Sequence, residues 1–226
     1  MSQEIQKDQI NNSELGTKEF WDRSYSLEIQ NYKNHGDVGE IWFNEYSQVR
    51  VIKWIKNSSG LSQEKRILDI GCGNGMMLVE LAKEGFQNLL GVDYSQQAID
   101  LARSIAKDQK LNSMRIEYQP LDILVTEEVD KLGKFGITHD KGTYDAICMC
   151  PENPTTKREK YLENIYNLTE DGGFFIITSC NWTEDELKET FSKKFQLKLV
   201  LPTATFKFGG KIGNVVTTIV FQKTLK

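Results

Sequence analysis

The sequence predicts an α/β fold, doubly wound around a mostly parallel seven-stranded sheet, with an N-terminal helical cap and a C-terminal antiparallel strand pair. Three observations carry that expectation. From about Ile67 onward, short apolar runs alternate with longer amphipathic stretches, the pattern of a parallel sheet covered by helices on both faces. One apolar run, Ile67-Leu68-Asp69-Ile70, enters a glycine turn that opens directly into a helical pattern at Met76. Near the C-terminus the alternation stops, and two strand-like runs follow each other with only a glycine-bearing connection between them.

In chain order, residues 1–13 are polar and read as a disordered tail. Residues 14–226 then form one domain. Its cap, 14–60, is mostly helical over 17–58 and carries Trp21, Trp42 and Trp54. The core, 61–226, offers strands at 66–70, 89–93, 114–119, 144–149 and 173–179. Between them, 76–84, 96–109 and 157–168 have helical periodicity, as in Ile99, Ala102, Ile105 and Ala106. Parallel crossovers of this kind are right-handed. The runs 195–201 and 214–223 are joined by FKFGGKIG, where Gly209, Gly210 and Gly213 suit a turn. These two runs are expected to pair antiparallel at one edge of the sheet.

Composition narrows the function. The formal net charge of −4 lacks the basic excess of a general nucleic-acid binder, so no stable nucleic-acid partner is expected. Cys72, Cys148, Cys150 and Cys180 form no Cys-x-x-Cys, and His35 and His139 are the only histidines; no metal site is expected. No apolar run approaches the roughly 18 residues of a membrane span. The polar N-terminus lacks the apolar core of a signal peptide. Four unpaired cysteines in that setting fit the reducing cytoplasm, with the nucleus as second choice.

The most informative segment is Asp69-Ile70-Gly71-Cys72-Gly73-Asn74-Gly75. Glycines there let a ligand approach the backbone, and the following helix presents free N–H groups. The spacing is Gly-x-Gly-x-Gly, which departs from the Gly-x-Gly-x-x-Gly of dinucleotide binders. Asp69 at the strand end suits a ligand ammonium and would repel a pyrophosphate. That points to S-adenosylmethionine rather than a nicotinamide cofactor. Asp93 ends the second strand, where a carboxylate accepts from both ribose hydroxyls; its other reading is a helix cap beside Ser95. Asp122 follows the third strand, placed to accept from an adenine amino group with Leu121 and Ile123 against the ring, or to make an ordinary turn.

With these residues in place the chain resembles the class I, seven-β-strand S-adenosylmethionine-dependent methyltransferases, which implies their Rossmann-like fold. A narrower resemblance is to the eukaryotic lysine methyltransferases that act on translation elongation factor 1-alpha. It rests on Leu15-Gly16-Thr17-Lys18 with Trp21 and Tyr25, on Gly39-Glu40-Ile41-Trp42-Phe43, and on Asp93-Tyr94-Ser95. It continues through Asp140-Lys141-Gly142-Thr143, Thr178-Ser179-Cys180-Asn181-Trp182-Thr183 and Phe206-Lys207-Phe208-Gly209-Gly210. The resemblance implies cofactor contacts at Trp21, Tyr25, Trp42, Gly71, Asp93, Tyr94, Leu121, Asp122 and Lys141, with Gly73 in the same loop. It also implies a monomeric enzyme whose partner is elongation factor 1-alpha. The aromatic trio would close over the methionine end and offer π faces to the sulfonium. Lys141, placed just before the expected fourth strand, would meet the cofactor carboxylate, hold Asp69 or Asp140, or make a surface salt bridge. Members outside the narrower group have Glu where this chain has Asp140, whose shorter side chain shifts any ligand contact, so the resemblance assigns Asp140 no role.

A lysine acceptor must lose a proton before attack, at a cost of about 4.6 kcal/mol at pH 7; an apolar channel and a nearby cation both lower that cost. The segment Cys148-Met149-Cys150-Pro151-Glu152-Asn153-Pro154 is expected to end the fourth strand. Glu152 and Asn153 are the candidates for orienting the amine, against a proline-bounded surface loop. Trp182 is a candidate wall of a lysine channel, against a hydrophobic staple for the capping box that starts at Thr183. Competing functions are methylation of RNA or of a small molecule, and a cofactor-binding module without turnover.

Overall fold

The computed structural model describes residues 13–58, 62–111, 116–203, 205–208, 211–214 and 216–224. Two helices, α1 (Lys18–His35) and α2 (Asn44–Asn57), precede the sheet. The core then runs β1 (Arg66–Ile70), α3 (Met76–Lys83), β2 (Asn88–Asp93), α4 (Gln96–Asp108) and β3 (Ile116–Pro120). Next come α5 (Thr126–Val129), β4 (Phe135–Lys141), α6 (Thr143–Cys148), α7 (Pro154–Leu168) and β5 (Thr169–Ser179). The chain closes with α8 (Glu184–Phe191), β6 (Gln196–Leu201), β7 (Thr205–Phe208), β8 (Lys211–Asn214) and β9 (Thr217–Gln222).

Seven strands form one sheet in the order β3-β2-β1-β4-β5-β9-β6, and β7 pairs with β8 as a separate hairpin. The first five are parallel, and β9 is antiparallel to both β5 and β6. The two C-terminal runs therefore pair antiparallel, with β6 at the edge and β9 inside the sheet. Gly209 and Gly210, expected in the turn between β7 and β8, lie outside the described residues, as do residues 1–12 of the expected tail. Ser13 is described: its hydroxyl accepts from the Leu15 amide, and its own amide donates to the Met149 carbonyl at 3.2 Å.

Both faces of the sheet are buried, because side chains along a strand alternate. On β1, Ile67 packs into one core with Ile55, Leu78, Leu81 and Ile99, while Leu68 and Ile70 join the opposite core with Tyr161, Ile165 and Phe191. Local chemistry sets where helices begin. Thr17 caps α1, Ser95 caps α4 by accepting from the Ala98 amide, and Thr183 and Glu186 complete a capping box on α8. Among the described residues no helix is long and apolar enough to cross a membrane.

One expected element is wrong. Residues 144–149 are not the fourth strand; Thr143–Cys148 is α6, and the strand is β4 at Phe135–Lys141. Gly136, Thr138, His139 and Asp140 are unusual in a central strand, yet each of the three polar side chains makes a hydrogen bond inside the protein. Thr138 bonds Thr169 at 2.9 Å, His139 Nδ1 meets Asp69 Oδ1 at 2.7 Å, and Asp140 accepts from the Tyr161 hydroxyl. Buried polar groups so satisfied cost little. Asp140 also accepts from the amides of Thr143 and Tyr144, both at 3.0 Å, which starts a helix just where YDAICM reads as a strand. Asp140 and Lys141 consequently end β4 instead of preceding a strand, and Cys148–Pro154 follows a helix.

β1 has β2 on one side and β4 on the other, so the direction of winding changes there. Ligands in open α/β sheets collect outside the carboxyl ends of the strands at such a point.

Candidate active site

A cavity of about 580 Å³ lies at that switch point, within the range of small-molecule sites. Its floor is the glycine loop after β1. Gly71, Gly73 and Gly75 have φ of 61°, 53° and 73°, the left-handed region that side chains resist. At Gly71 the absence of a side chain has a second cause: a Cβ would lie 2.0 Å from Thr143 Oγ1, which donates to the Ile70 carbonyl.

Asp93 braces this loop. One carboxylate oxygen accepts from the Gly73 amide at 3.1 Å and the other from the Ser95 amide at 2.9 Å, while the side chain also faces the cavity. Burial pushes its carboxyl up to about 6, against the pull of those two amides. Asp122 stands next along the wall with Leu121 and Ile123; its Oδ1 accepts from the Leu124 amide at 2.8 Å. Each aspartate therefore organises its turn and lines the cavity, and the cap of α4 is Ser95 rather than Asp93.

The cap closes the opposite side. Trp21 stacks on Tyr25 at 5.9 Å and tilts against Trp42 at 4.9 Å, and all three rings line the cavity. Trp21 Nε1 donates to the Leu15 carbonyl at 2.7 Å, and the Tyr94 hydroxyl donates to the Thr17 carbonyl at 3.3 Å. Gly16 packs so closely on Met149 and Cys150 that a Cβ would fall 2.4 Å from their backbone. Asn74, inside the glycine motif, donates through Nδ2 to the carbonyls of Val38 and Glu40 at 3.0 and 3.3 Å, tying cap to floor. Neither Asn74 nor Glu40, which also lines the cavity, was picked out from the sequence. The position of Asn74 between two of the glycines was the available signal.

Lys141 faces the cavity from the end of β4. Burial lowers its ammonium, opposed by the carboxylates of Asp69, Asp140 and Glu40. Asp69 itself is not on the wall: it is buried behind the glycine loop and bonded to His139. Asp140 is likewise behind, holding the start of α6. Glu152 lies on the cavity rim, but Asn153 and Trp182 do not. Asn153 has φ 49° and serves as the residue before α7. Trp182 packs on Tyr144 at 5.9 Å beneath the Arg158 guanidinium, and the capping box beside it is formed. Trp54, the remaining tryptophan, packs on Phe174.

Burial pushes the Cys72 thiol well up and that of Cys148 up to about 12, the reverse of what a nucleophilic thiol needs. Among the described residues no group of three or more His, Cys, Asp or Glu side chains gathers to hold a metal. The cavity thus presents carboxylates for hydroxyls and an amine, lysine ammoniums including that of Lys141 for a carboxylate, and aromatic faces for a flat or cationic group.

Residues 61–220 match the methyltransferase domain family. Over 212 residues the chain is 47% identical to EEF1A lysine methyltransferase 2 of Danio rerio, spanning 94% of this chain and 89% of that protein. It is 34% identical to the protein-lysine N-methyltransferase efm4 of Schizosaccharomyces pombe, spanning 93% and 94%. Among solved structures, the magnesium protoporphyrin IX methyltransferase ChlM of Synechocystis PCC 6803 with bound SAH superposes with a TM-score of 0.67 at 12% identity, over 92% of this chain and all (100%) of that one; at that identity the likeness is one of fold. The chain belongs to the class I S-adenosylmethionine-dependent methyltransferases, in the family that contains EEF1A lysine methyltransferase 2.

Proposed function

We propose that this chain methylates a lysine side chain of translation elongation factor 1-alpha. The observation that carries the reading is 47% identity, over 94% of the chain, to a relative bearing that name, in a fold whose cavity has the matching donors and acceptors.

In this reading residues 14–226 act as one methyltransferase domain and as a monomer, in the cytoplasm or secondarily the nucleus, with no metal. S-adenosylmethionine supplies a methyl group already activated on a sulfonium. The chain supplies position and a dry environment. Gly71 and Gly73 admit the ligand to the backbone. Asp93 takes the ribose hydroxyls, while Leu121 and Asp122 take the adenine. Glu40 and Lys141 hold opposite charges at the amino-acid end. Trp21, Tyr25, Trp42 and Tyr94 cover it. Those aromatic walls also favour the neutral form of an incoming lysine, whose deprotonation otherwise costs about 4.6 kcal/mol at pH 7. Glu152 at the rim accepts that proton through water.

The test is transfer of tritiated methyl to purified elongation factor 1-alpha and to a lysate, with mass spectrometry of the labelled band. Label on a lysine of the factor is expected. Label on RNA, on a small molecule or only on other proteins overturns the reading.

Binding should also depend on pH. The ionised form of Asp93 is the acceptor for hydroxyls, and with its carboxyl raised to about 6 that form is lost as pH falls through this value. Calorimetry with S-adenosylhomocysteine should show affinity holding from about pH 8 to 7 and weakening by about tenfold near pH 5. An affinity that stays flat across that span contradicts the role given to Asp93.

A further inference from the structure

Residues 13–17 run from Met149 and Cys150, just past α6, to Tyr94, just past β2, and Gly16 and Thr17 line the cavity on the way. Gly16 is outside the left-handed region, so its backbone does not call for glycine. The space around it does. A Cβ there would lie 2.4 Å from the Cys150 amide nitrogen, 2.4 Å from the Met149 carbonyl carbon and 2.5 Å from the carbonyl oxygen. These are backbone atoms, which cannot swing aside as the end of a side chain would. They are also held in place, because the Met149 and Cys150 amides donate to the carbonyls of Ala146 and Ile147 at 3.1 and 3.3 Å.

This close seat sets where the two neighbouring carbonyls stand. That of Leu15 accepts from Trp21 Nε1 at 2.7 Å, and that of Thr17 accepts from the Tyr94 hydroxyl at 3.3 Å. Both rings line the cavity, yet they come from separate elements, α1 and the end of β2. Gly16 is the residue between the two carbonyls. An added methyl group would push residues 15–17 away from Met149 and Cys150 and draw both acceptors off their donors.

We propose that Gly16 is a positioning residue for cofactor binding: by letting residues 13–17 lie flat on Met149 and Cys150, it makes the carbonyls on either side of it hold Trp21 and Tyr94 at the cavity wall. This rests on reading the cavity as the cofactor site and adds to it a residue that acts through two rings.

Calorimetry with S-adenosylhomocysteine, paired with thermal unfolding of the free chain, is the test. In Gly16→Ala the rings lose their anchors, and affinity falls with the fraction of molecules in which both stand in place. The loss should be about twentyfold, as for two hydrogen bonds between uncharged groups, while unfolding stays cooperative. Tyr94→Phe keeps the ring and removes only the hydroxyl, and should cost about fivefold. Together the two substitutions should cost about twentyfold and not about a hundredfold, because the Thr17 carbonyl has already left the hydroxyl. A general loosening of the fold would not produce that shared loss. Affinity of Gly16→Ala within about twofold of the unaltered chain, or two losses that multiply in full, overturns the proposal. Should Gly16→Ala fail to fold, Tyr94→Phe decides alone: a fivefold loss at an unchanged unfolding midpoint supports the proposal, and unaltered affinity overturns it. An unaltered chain that does not bind S-adenosylhomocysteine brings down the reading of the cavity first, and this proposal with it.

Discussion

Replacing Asp93 with alanine removes cofactor binding while the chain stays folded. The two effects separate because the carboxylate is doing two jobs of unequal value. Toward the ligand, the proposed function makes it the acceptor for two ribose hydroxyls, and hydrogen bonds to a charged group are worth about 1.5–3 kcal/mol each. Losing both weakens binding by at least about 100-fold. Toward the fold, it braces the Gly73 and Ser95 amides, and freeing them costs stability. That cost is offset because the carboxylate is itself poorly hydrated, as its carboxyl raised to about 6 records. The start of α4 also survives, since Ser95 Oγ still accepts from the Ala98 amide. Calorimetry with S-adenosylhomocysteine should find no binding for Asp93→Ala, and thermal unfolding should remain cooperative with a midpoint lowered by a few degrees. Binding within about threefold of the unaltered chain would sink the site assignment.

The parts of the molecule legible in the sequence are those where one residue has one obligation. Ile67, Leu68 and Ile70 are apolar and buried, so β1 was readable; Gly71, Gly73 and Gly75 serve a turn that side chains resist, so the floor of the site was readable too. Asp93 and Asp122 were readable as to place, because each ends or follows a strand at the ligand side. What sequence hid were residues whose partners come from elsewhere in the chain. Thr138, His139 and Asp140 look out of place in a buried strand until Thr169, Asp69 and Tyr161 are brought to them across the sheet and from α7. With β4 misread, YDAICM inherited its place, and the loop after it was credited with a strand-end position. That shift is why Asn153 was drawn toward the site although it stands just before α7, off the cavity wall. Trp182 was misplaced for a related reason: an aromatic ring near a rim can equally turn inward, and Tyr144 and Leu187 provide the core that takes it.

Asp140→Ala should be the most destabilising of the substitutions considered. The side chain is wholly buried and accepts from the amides of Thr143 and Tyr144 and from the Tyr161 hydroxyl. Alanine leaves two buried donors and one half-buried donor without an acceptor, a loss of about 3–5 kcal/mol. The loss reaches the site, because α6 begins at Thr143, and Thr143 closes against Gly71 and bonds the Ile70 carbonyl. Protonation gives the discriminating readout. Burial, with Asp145 adding repulsion, raises the Asp140 carboxyl to about 7 despite its hydrogen bonds. A carboxyl raised on folding takes up a proton that the unfolded chain releases, so its contribution is full below the ordinary carboxylate range and is lost as pH rises through 7. The unaltered chain should therefore gain stability from about pH 8 to 6, at up to about 1.4 kcal/mol per pH unit from this one group. Asp93 and Asp145, also raised, add to the slope in both chains, so the comparison with Asp140→Asn isolates Asp140: that variant cannot titrate there and should show a shallower dependence. Urea unfolding at the two pH values measures both quantities. An alanine variant within about 1 kcal/mol of the unaltered chain, or parallel slopes for the asparagine variant, would mean that α6 is held by its packing against Tyr161 and Phe191 and not by the carboxylate at its start.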